Sequence, residues 1–325
     1  MLVSTLTSLR EIKFDFDHAL DFHPNPALEK AVFKTLAYFD IFNYPLTAWE
    51  VYRYLYIKDL NKEVGFLETK NILDNNFQNK EGFYFLANRQ NLVEIRKERQ
   101  VISAKKYKKA RRVIRLLSLL PFIKMIAVSN SLAYDNAKEE SDVDLFIISK
   151  PNKIWTARFY ATVVLKLLHR RPTPNITKDK ICLNFFATTE SLNLENLQIQ
   201  NDIYFKYWLL QLTPIYDGQN YFNKLIKQND WLTDFVNINY HCSASKKRKI
   251  KNNLIIRAIK FVLEKINSFN FIENFLKAFQ FNRMPKNIKQ KMNKGTTVVV
   301  NDRTLKFHLD DRREEFRDKW LNQYE

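Results

Sequence analysis

The chain has 325 residues and a formal net charge of +18, from 53 lysines and arginines against 35 aspartates and glutamates. This excess favours an anionic partner such as a nucleotide or a nucleic acid. The hydrophobic content of 46% indicates a globular protein. Only four glycines and two cysteines occur, which argues against glycine-rich phosphate loops, a disulfide framework and a cysteine-rich zinc site.

Residues 1–26 have a mixed composition and are interpreted as an N-terminal arm. They lack the charged leader, long apolar core and cleavage site of a signal peptide. The longest apolar helical pattern, at residues 157–168, is too short to span a bilayer. The sequence therefore predicts a cytoplasmic protein without a membrane partner.

Residues 27–89 are predicted to form a module of three helices followed by a turn and a strand. Thr47 and Glu50 have the spacing of a capping box at the start of the second helix. This order of elements resembles a winged helix, whose third helix commonly reads DNA. The third helix here is not basic, so we interpret the module as a scaffold or a protein contact.

Residues 90–120 predict one basic connecting helix. Between Lys105 and Arg115 it carries seven cations and no acid. A solvated helix face is the ordinary interpretation of such charges. The alternative is a surface that holds RNA, DNA or a triphosphate tail. Its candidate nucleic-acid-binding residues are Lys105, Lys106, Lys108, Lys109, Arg111 and Arg112.

The stretch with the strongest functional signal lies at residues 123–149. An apolar run predicts a strand that ends in Ser129, Asn130 and Ser131, where hydroxyl and backbone N–H groups suit phosphate oxygens. Asp142 and Asp144 begin a second apolar strand. Because strand side chains alternate, both carboxylates project from one side, roughly 7 Å apart. Such a pair is well placed to hold a divalent metal ion.

This arrangement resembles the nucleotidyltransferase superfamily of the DNA polymerase beta type. The family signature is an apolar strand, Gly-Ser or Gly-Gly, a short spacer, and then Asp-apolar-Asp or Asp-apolar-Glu on the next strand. Here ten residues separate Ser131 from Asp142. The resemblance covers residues 122–187. It implies Mg²⁺ (or Mn²⁺) bound by Asp142 and Asp144, and transfer of a nucleoside monophosphate from a nucleoside triphosphate to a hydroxyl acceptor, with release of pyrophosphate.

Two residues depart from the family pattern. Asn130 replaces the glycine, although asparagine tolerates the left-handed conformation better than other residues with a side chain. Asn184, in the strand at residues 181–186, stands where the family has its third carboxylate. An amide oxygen can ligate a hard cation but brings no charge, so metal binding should be weaker unless substrate phosphates complete the shell.

The candidate catalytic residues are therefore Asp142, Asp144 and Asn184. If Asn184 lies beside the two aspartates, the site is real but altered, whereas an approach of Glu190 or Asp179 would supply a third carboxylate. The candidate nucleotide- and phosphate-binding residues are Ser129, Asn130, Ser131, Arg158, Lys178 and Lys180.

The preferred interpretation is an enzyme whose acceptor is an RNA end, a protein or a small molecule. The alternative is a catalytically impaired nucleotidyltransferase fold that binds nucleotide or nucleic acid as a regulator. The expected fold is α+β: a nucleotidyltransferase-type small mixed sheet with helices at residues 121–200, preceded by the winged-helix-like module. A helical C-terminal region at residues 201–325 follows, with a terminal hairpin and helix.

Overall fold

The computed structural model describes residues 25–58, 60, 64–233, 235–236 and 247–323. These residues form a mixed α and β protein with twelve α-helices, a six-stranded sheet and a three-stranded sheet. The arm expected at residues 1–26 lies outside the described residues except for its last two positions. None of the described helices is both long enough and apolar enough to cross a membrane.

The N-terminal module follows the predicted order of elements. Its capping box is confirmed, because the Thr47 hydroxyl accepts from the backbone N–H of Glu50 and the Glu50 carboxylate accepts from the N–H of Thr47. The three strands pair antiparallel in the order β1-β3-β2. The elements are α1 (Pro26–Asp40), β1 (Leu46–Thr47), α2 (Ala48–Arg53), α3 (Phe66–Asn76), β2 (Gln78–Lys80) and β3 (Phe83–Phe85).

One long helix, α4 (Leu92–Leu117), connects this module to the central sheet. The sheet has the strand order β7-β4-β5-β6-β9-β8, and only β5 and β6 run parallel. Its strands are β4 (Ile123–Val128), β5 (Val143–Ser149), β6 (Ile181–Thr188), β7 (Thr213–Asp217), β8 (Val298–Val300) and β9 (Thr304–Phe307).

The C-terminal region contributes more to the sheet than the sequence predicts. The helical interpretation of residues 201–325 is wrong at β7, which pairs with β4 at the sheet edge. Pro214 lies in β7, and an edge strand tolerates proline because one side needs no donor. The predicted terminal hairpin is confirmed as β8 and β9, but β9 pairs with β6. The sheet therefore extends beyond residues 121–200.

Strand alternation divides the buried side chains between the two faces of the sheet. Phe146 and Phe185 belong to the core that also contains residues of the N-terminal module, and they contact the ring of Trp208. The ring of Tyr38 stacks on Tyr207 with centroids 4.2 Å apart. The N-terminal module, the helix α7 (Ile203–Gln211) and one sheet face thus share a single core.

The other face packs against α4, α6 (Ile154–Leu167) and residues of the C-terminal region. Ile147 and Phe186 point to this side and are fully buried. The remaining helices are α5 (Asn130–Ala133), α8 (Tyr221–Lys227), α9 (Leu254–Ile266), α10 (Asn270–Asn282), α11 (Lys286–Lys291) and α12 (Arg313–Leu321).

Candidate metal and nucleotide site

The candidate site is built where β5 and β6 begin side by side. Asp142 and Asp144 flank the buried Val143, so their side chains share one side of the strand. Asp144 pairs in register with Cys182 on the parallel strand, and Asn184 follows two residues later on that strand. Because side chains alternate along each strand, those of Asp142, Asp144, Cys182 and Asn184 come together on one side of the sheet.

Asp144 is held by two side-chain amides. Asn130 donates through Nδ2 to one carboxylate oxygen at 2.8 Å, and Asn184 donates through Nδ2 to the other at 2.9 Å. Asn130 has a φ of 56°, so it adopts the left-handed conformation expected from the sequence. The hydroxyl of Tyr204 donates to Asn130 Oδ1 at 3.3 Å. Asn130 thus orients Asp144 in addition to forming the turn.

Burial and mutual repulsion shape the charges of this cluster. Burial, followed by the charge of Asp142, raises the pKa of Asp144 to about 7, and the Asn130 hydrogen bond only partly opposes this. Burial also raises the pKa of Asp142. The pKa of the Cys182 thiol is raised by burial and by the two carboxylates. Cys182 is therefore a neutral thiol, and its Sγ donates to Asn184 Oδ1 at 2.6 Å.

The donor set fits a hard divalent cation. One ligand atom from each of Asp142, Asp144 and Cys182 lies within 4.8 Å of the others. A neutral thiol is a poor ligand, so carboxylate oxygens dominate, and these are the donors that Mg²⁺ and Mn²⁺ prefer. A half-turn of the Asn184 amide would exchange its Nδ2 for Oδ1 and add a third oxygen. The raised pKa values add support, because a cation would relieve the repulsion that causes them.

The serine turn lies where the sequence places it. Ser129 is buried, and its backbone N–H donates to the carbonyl of Asp144 at 3.0 Å. Ser131 is partly buried, and its carbonyl accepts from the N–H of Asn136 at 2.8 Å. The structure therefore joins Ser129, Asn130 and Asn184 to Asp144.

The three predicted phosphate-binding cations are engaged with other groups. Arg158 donates to Gln280 Oε1 at 2.8 Å, and its guanidinium lies 4.6 Å from the centroid of the Phe307 ring. Lys178 is exposed and forms ion pairs with Glu139 at 2.8 Å and with Glu140 at 3.3 Å. Lys180 donates to the carbonyl of His169 at 2.7 Å.

Of the candidate nucleic-acid-binding residues on α4, Lys106 differs from the expectation of an exposed surface. It is only 2% exposed, and its Nζ donates to the carbonyls of Glu139 and Ser141 and to Asp179. Lys106 therefore fastens α4 to the loop before Asp142, and Asp179 is occupied by this contact. Lys105, Lys108, Lys109 and Arg112 are exposed as expected, and Arg111 is partly buried.

A cavity of about 470 Å³ adjoins the two asparagines that bond Asp144, and it was not predicted from the sequence. Asn130 and Asn184 form one wall, and residues of α7, β9, the loop at residues 308–312 and α12 form the rest. Burial and the charge of Arg313 lower the pKa of Lys306 to about 8. Burial and Lys306 lower the pKa of His308 to about 3. His308 is therefore neutral, and the cavity contains the cations Lys306 and Arg313 together with the carboxylates of Asp310 and Asp311.

The cavity residues come from distant parts of the chain. Arg313 forms ion pairs with Asp202 at 2.8 Å and with Asp311 at 2.7 Å. The rings of Tyr204 and Phe316 stack with centroids 5.2 Å apart. Isolated residues such as His308 carry no local signal, because only the pairing of β9 with β6 brings them to the site.

Comparison with known proteins gives no match among protein-family models, curated proteins or solved structures.

Proposed function

We propose that this protein is a metal-dependent nucleotidyltransferase of the polymerase beta type, acting on a hydroxyl acceptor. The observation that carries the proposal is the meeting of Asp142, Asp144 and Asn184 at the adjoining starts of β5 and β6, beside the turn at Ser129 to Ser131. The nearby cavity has room for a nucleotide and contains cationic side chains. If the two aspartates only marked the start of β5, neither the cluster with Asn184 nor the adjacent cavity would be expected.

The chain's own residues have distinct roles in this proposal. Asp142 and Asp144 would hold Mg²⁺ or Mn²⁺, with Asn184 as a neutral third ligand after rotation of its amide. Bound metal would neutralise charge on the triphosphate and on the leaving pyrophosphate. Lys306 and Arg313 line the cavity, where a phosphate would compete for them with Asp311 and Asp202, their present partners. The stacked rings of Tyr204 and Phe316 offer an apolar surface for the base.

The proposed reaction forms one bond and breaks one. The acceptor oxygen attacks the α-phosphorus of the nucleoside triphosphate, the bond between the α-phosphorus and the bridging oxygen breaks, and pyrophosphate leaves. The hydroxyl proton passes to solvent or to a basic group of the site. An RNA end, a protein and a small molecule all remain candidate acceptors.

We propose the N-terminal module as a winged-helix-like scaffold and not as a DNA reader. Its support is the shared core, in which Tyr38 stacks on Tyr207 and the hydroxyl of Tyr44 donates to the carbonyl of Tyr134 at 2.6 Å. These contacts hold the module against the segment that follows the serine turn.

A second candidate function is supported by the bonding of Asp144. Both of its oxygens already accept from amides, so the carboxylate is satisfied without an ion. With only two carboxylates, the site would also bind a metal less tightly than one with three. These features favour a nucleotide- or nucleic-acid-binding regulator that has lost catalysis.

The test is transfer of label from α-labelled nucleoside triphosphates in Mg²⁺ or Mn²⁺, with bulk RNA and cell protein as acceptors. Asp142→Asn and Asp144→Asn are compared with Asp230→Asn, which removes an exposed carboxylate elsewhere. We expect the first two to lose transfer by about a hundredfold or more, because groups that merely orient metal ligands are worth about ten- to a hundredfold.

The remaining outcomes separate the two candidates. Nucleotide binding that raises the unfolding temperature only with metal, without any transfer, would support the regulator. Absence of both transfer and nucleotide binding in the wild type would refute both functions. The acceptor is identified by which species carries the label.

A further inference from the structure

Helix α9 has its polar side facing the protein. A surface helix ordinarily buries its apolar stripe. In α9 the side chain of Lys260 is buried, and its Nζ donates to the carbonyls of Ser118 and Ile123. The Glu264 carboxylate accepts from the backbone N–H of Phe122 at 2.9 Å. The inner side of α9 is thus attached to the body of the protein by hydrogen bonds.

Helix α10 is attached in a similar way. Glu273 is 8% exposed, and its carboxylate accepts from the backbone N–H groups of Trp155 and Thr156 at the start of α6, at 2.8 and 2.9 Å. Gln280 is equally buried and donates to the carbonyl of Trp155 at 2.8 Å. Leu276 is the buried apolar residue between them. These contacts leave Phe271 and Phe275 of α10 exposed, at 69 and 65%, whereas Phe279 contacts Phe159 of α6.

The outward side of the two helices is strongly apolar. We call it the outer face of α9–α10, and each of its defining side chains is 58 to 80% exposed. These side chains are Leu254, Phe261, Ile266, Phe269, Phe271 and Phe275. Scattered exposed apolar residues are normal on soluble proteins, but here they are concentrated on two consecutive helices, and the rings of Phe269 and Phe271 at their junction lie 5.8 Å apart.

The charges that α9 and α10 themselves expose are mainly positive. Among the described residues 247–282, the only carboxylates are Glu264 and Glu273, and both are engaged on the inner side. Arg257 and Lys265 are exposed on α9, and further exposed lysines precede the helix. The exposed carboxylate of Asp302 lies beside α10, where it is paired with Lys277 at 2.7 Å.

We propose that the outer face of α9–α10 binds the surface of an anionic lipid bilayer and lies in its interface. Apolar side chains would enter the acyl boundary while Arg257 and Lys265 contact anionic headgroups. A second copy of this chain is a poorer occupant, because a symmetric contact would oppose the same cations without a carboxylate to pair them.

This surface binding does not require a spanning helix, and the described residues contain none. Helix α9 has 13 residues, and a helix of that length extends about 20 Å, which is shorter than the bilayer core of about 30 Å. The sequence expectation of no membrane partner is based only on signal-peptide and membrane-spanning patterns. Attachment at the interface is a different mode, and it is independent of the proposed nucleotidyl transfer.

The test is co-sedimentation of the full chain with vesicles of phosphatidylcholine alone and of phosphatidylcholine mixed equally with phosphatidylglycerol. We expect binding to the anionic vesicles and a much weaker signal with the neutral ones. The double variant Phe261→Gln/Phe271→Gln should weaken binding by about tenfold or more, because it removes two buried apolar side chains from the interface. Leu67→Gln, at a 65% exposed position on α3, is the matched control and should bind as the wild type does.

A charge variant tests the proposed contact of Arg257 and Lys265 with anionic headgroups. Arg257→Gln/Lys265→Gln should lose about 25-fold in affinity for anionic vesicles, since each basic side chain near such a surface is worth about fivefold. It should change binding to neutral vesicles little. Thermal unfolding checks that both double variants remain folded, which we expect because the replaced side chains are exposed.

Three results would overturn the proposal. The first is failure of the wild type to bind either vesicle, and the second is equal binding of the wild type and Phe261→Gln/Phe271→Gln. The third is a dimer in sedimentation velocity that this variant dissociates, which would assign the outer face to a second copy of the chain.

Discussion

Replacing Lys260 tests the polar attachment of α9 directly. The Lys260 ammonium is 8% exposed and donates to the carbonyls of Ser118 and Ile123 and to the hydroxyl of Tyr216. Burial lowers its pKa to about 7, with Glu264 opposing the shift and Lys124 adding to it. The protonated, charged form of Lys260 therefore lowers the free energy of unfolding at neutral pH.

The sign and size of the effect follow from linkage. In the unfolded chain a lysine keeps its proton up to a pKa of about 10.4. Below the folded-state pKa both states are protonated, and the folded protein bears the full cost of the buried charge. Between the two values only the unfolded state binds the proton, so stability rises with pH. The difference of about 3.5 units sets a ceiling of about 5 kcal/mol, and we expect about 2 kcal/mol after local relaxation.

The assay is urea unfolding of the wild type and Lys260→Met at about pH 6.5 and about pH 9.5. Methionine removes the charge and leaves carbonyls without their donor, at a cost of about 1–3 kcal/mol that does not depend on pH. Only the wild type gains stability as Lys260 loses its proton. We therefore expect the variant to be about 2 kcal/mol more destabilised, relative to wild type, at the higher pH.

Lys265→Met is the matched control, because Lys265 is exposed on the other side of the same helix. Its difference from wild type should change by less than about 0.5 kcal/mol between the two pH values. If Lys260→Met behaved like this control, the ammonium would be hydrated, and the inner side of α9 would not be a packed polar contact.

Three further predictions concern contacts that position the candidate site and the outer face, each checked by denaturant unfolding. Arg313→Met should lower the free energy of unfolding by about 3–5 kcal/mol because it leaves buried carboxylates unpaired. Arg312→Met, in an exposed ion pair, should lower it by about 1 kcal/mol or less. Equal losses in the two variants would contradict this prediction. Glu273→Gln should cost about 1–3 kcal/mol, since its amide NH₂ would face backbone donors of α6, and a neutral result would refute the inward contact of α10. Thr47→Ala should cost about 1 kcal/mol through loss of the cap, and no loss would mean that α2 depends on packing alone.

Local chemistry explains what the sequence could predict. The capping box of Thr47 and Glu50 involves residues three apart, so the pattern contains the whole interaction. The left-handed turn at Asn130 follows from the intrinsic tolerance of asparagine. The resemblance places Asn184 at the third carboxylate position and leaves open whether it lies beside the aspartates, and its hydrogen bond to Asp144 shows that it does.

Contacts between distant residues explain what the sequence could not predict. Lys106 belongs to a basic run, yet carbonyls of a loop more than thirty positions away bury its ammonium. His308 lies beside the site only because β9 pairs with β6. The pattern of α9 predicts an amphipathic helix but does not specify which side faces the protein. That choice depends on the carbonyls that Lys260 contacts.

The two departures from the nucleotidyltransferase pattern act on the same carboxylate. Asn130 and Asn184 each donate to one oxygen of Asp144, so the aspartate is satisfied before any ligand arrives. A third carboxylate would instead add repulsion that only an ion could relieve. Both asparagines therefore stabilise the Asp144 carboxylate in the absence of metal. The further negative charge needed to retain a bound ion would then come from substrate phosphates. If the proposed nucleotidyl transfer is correct, nucleotide and metal should therefore bind together.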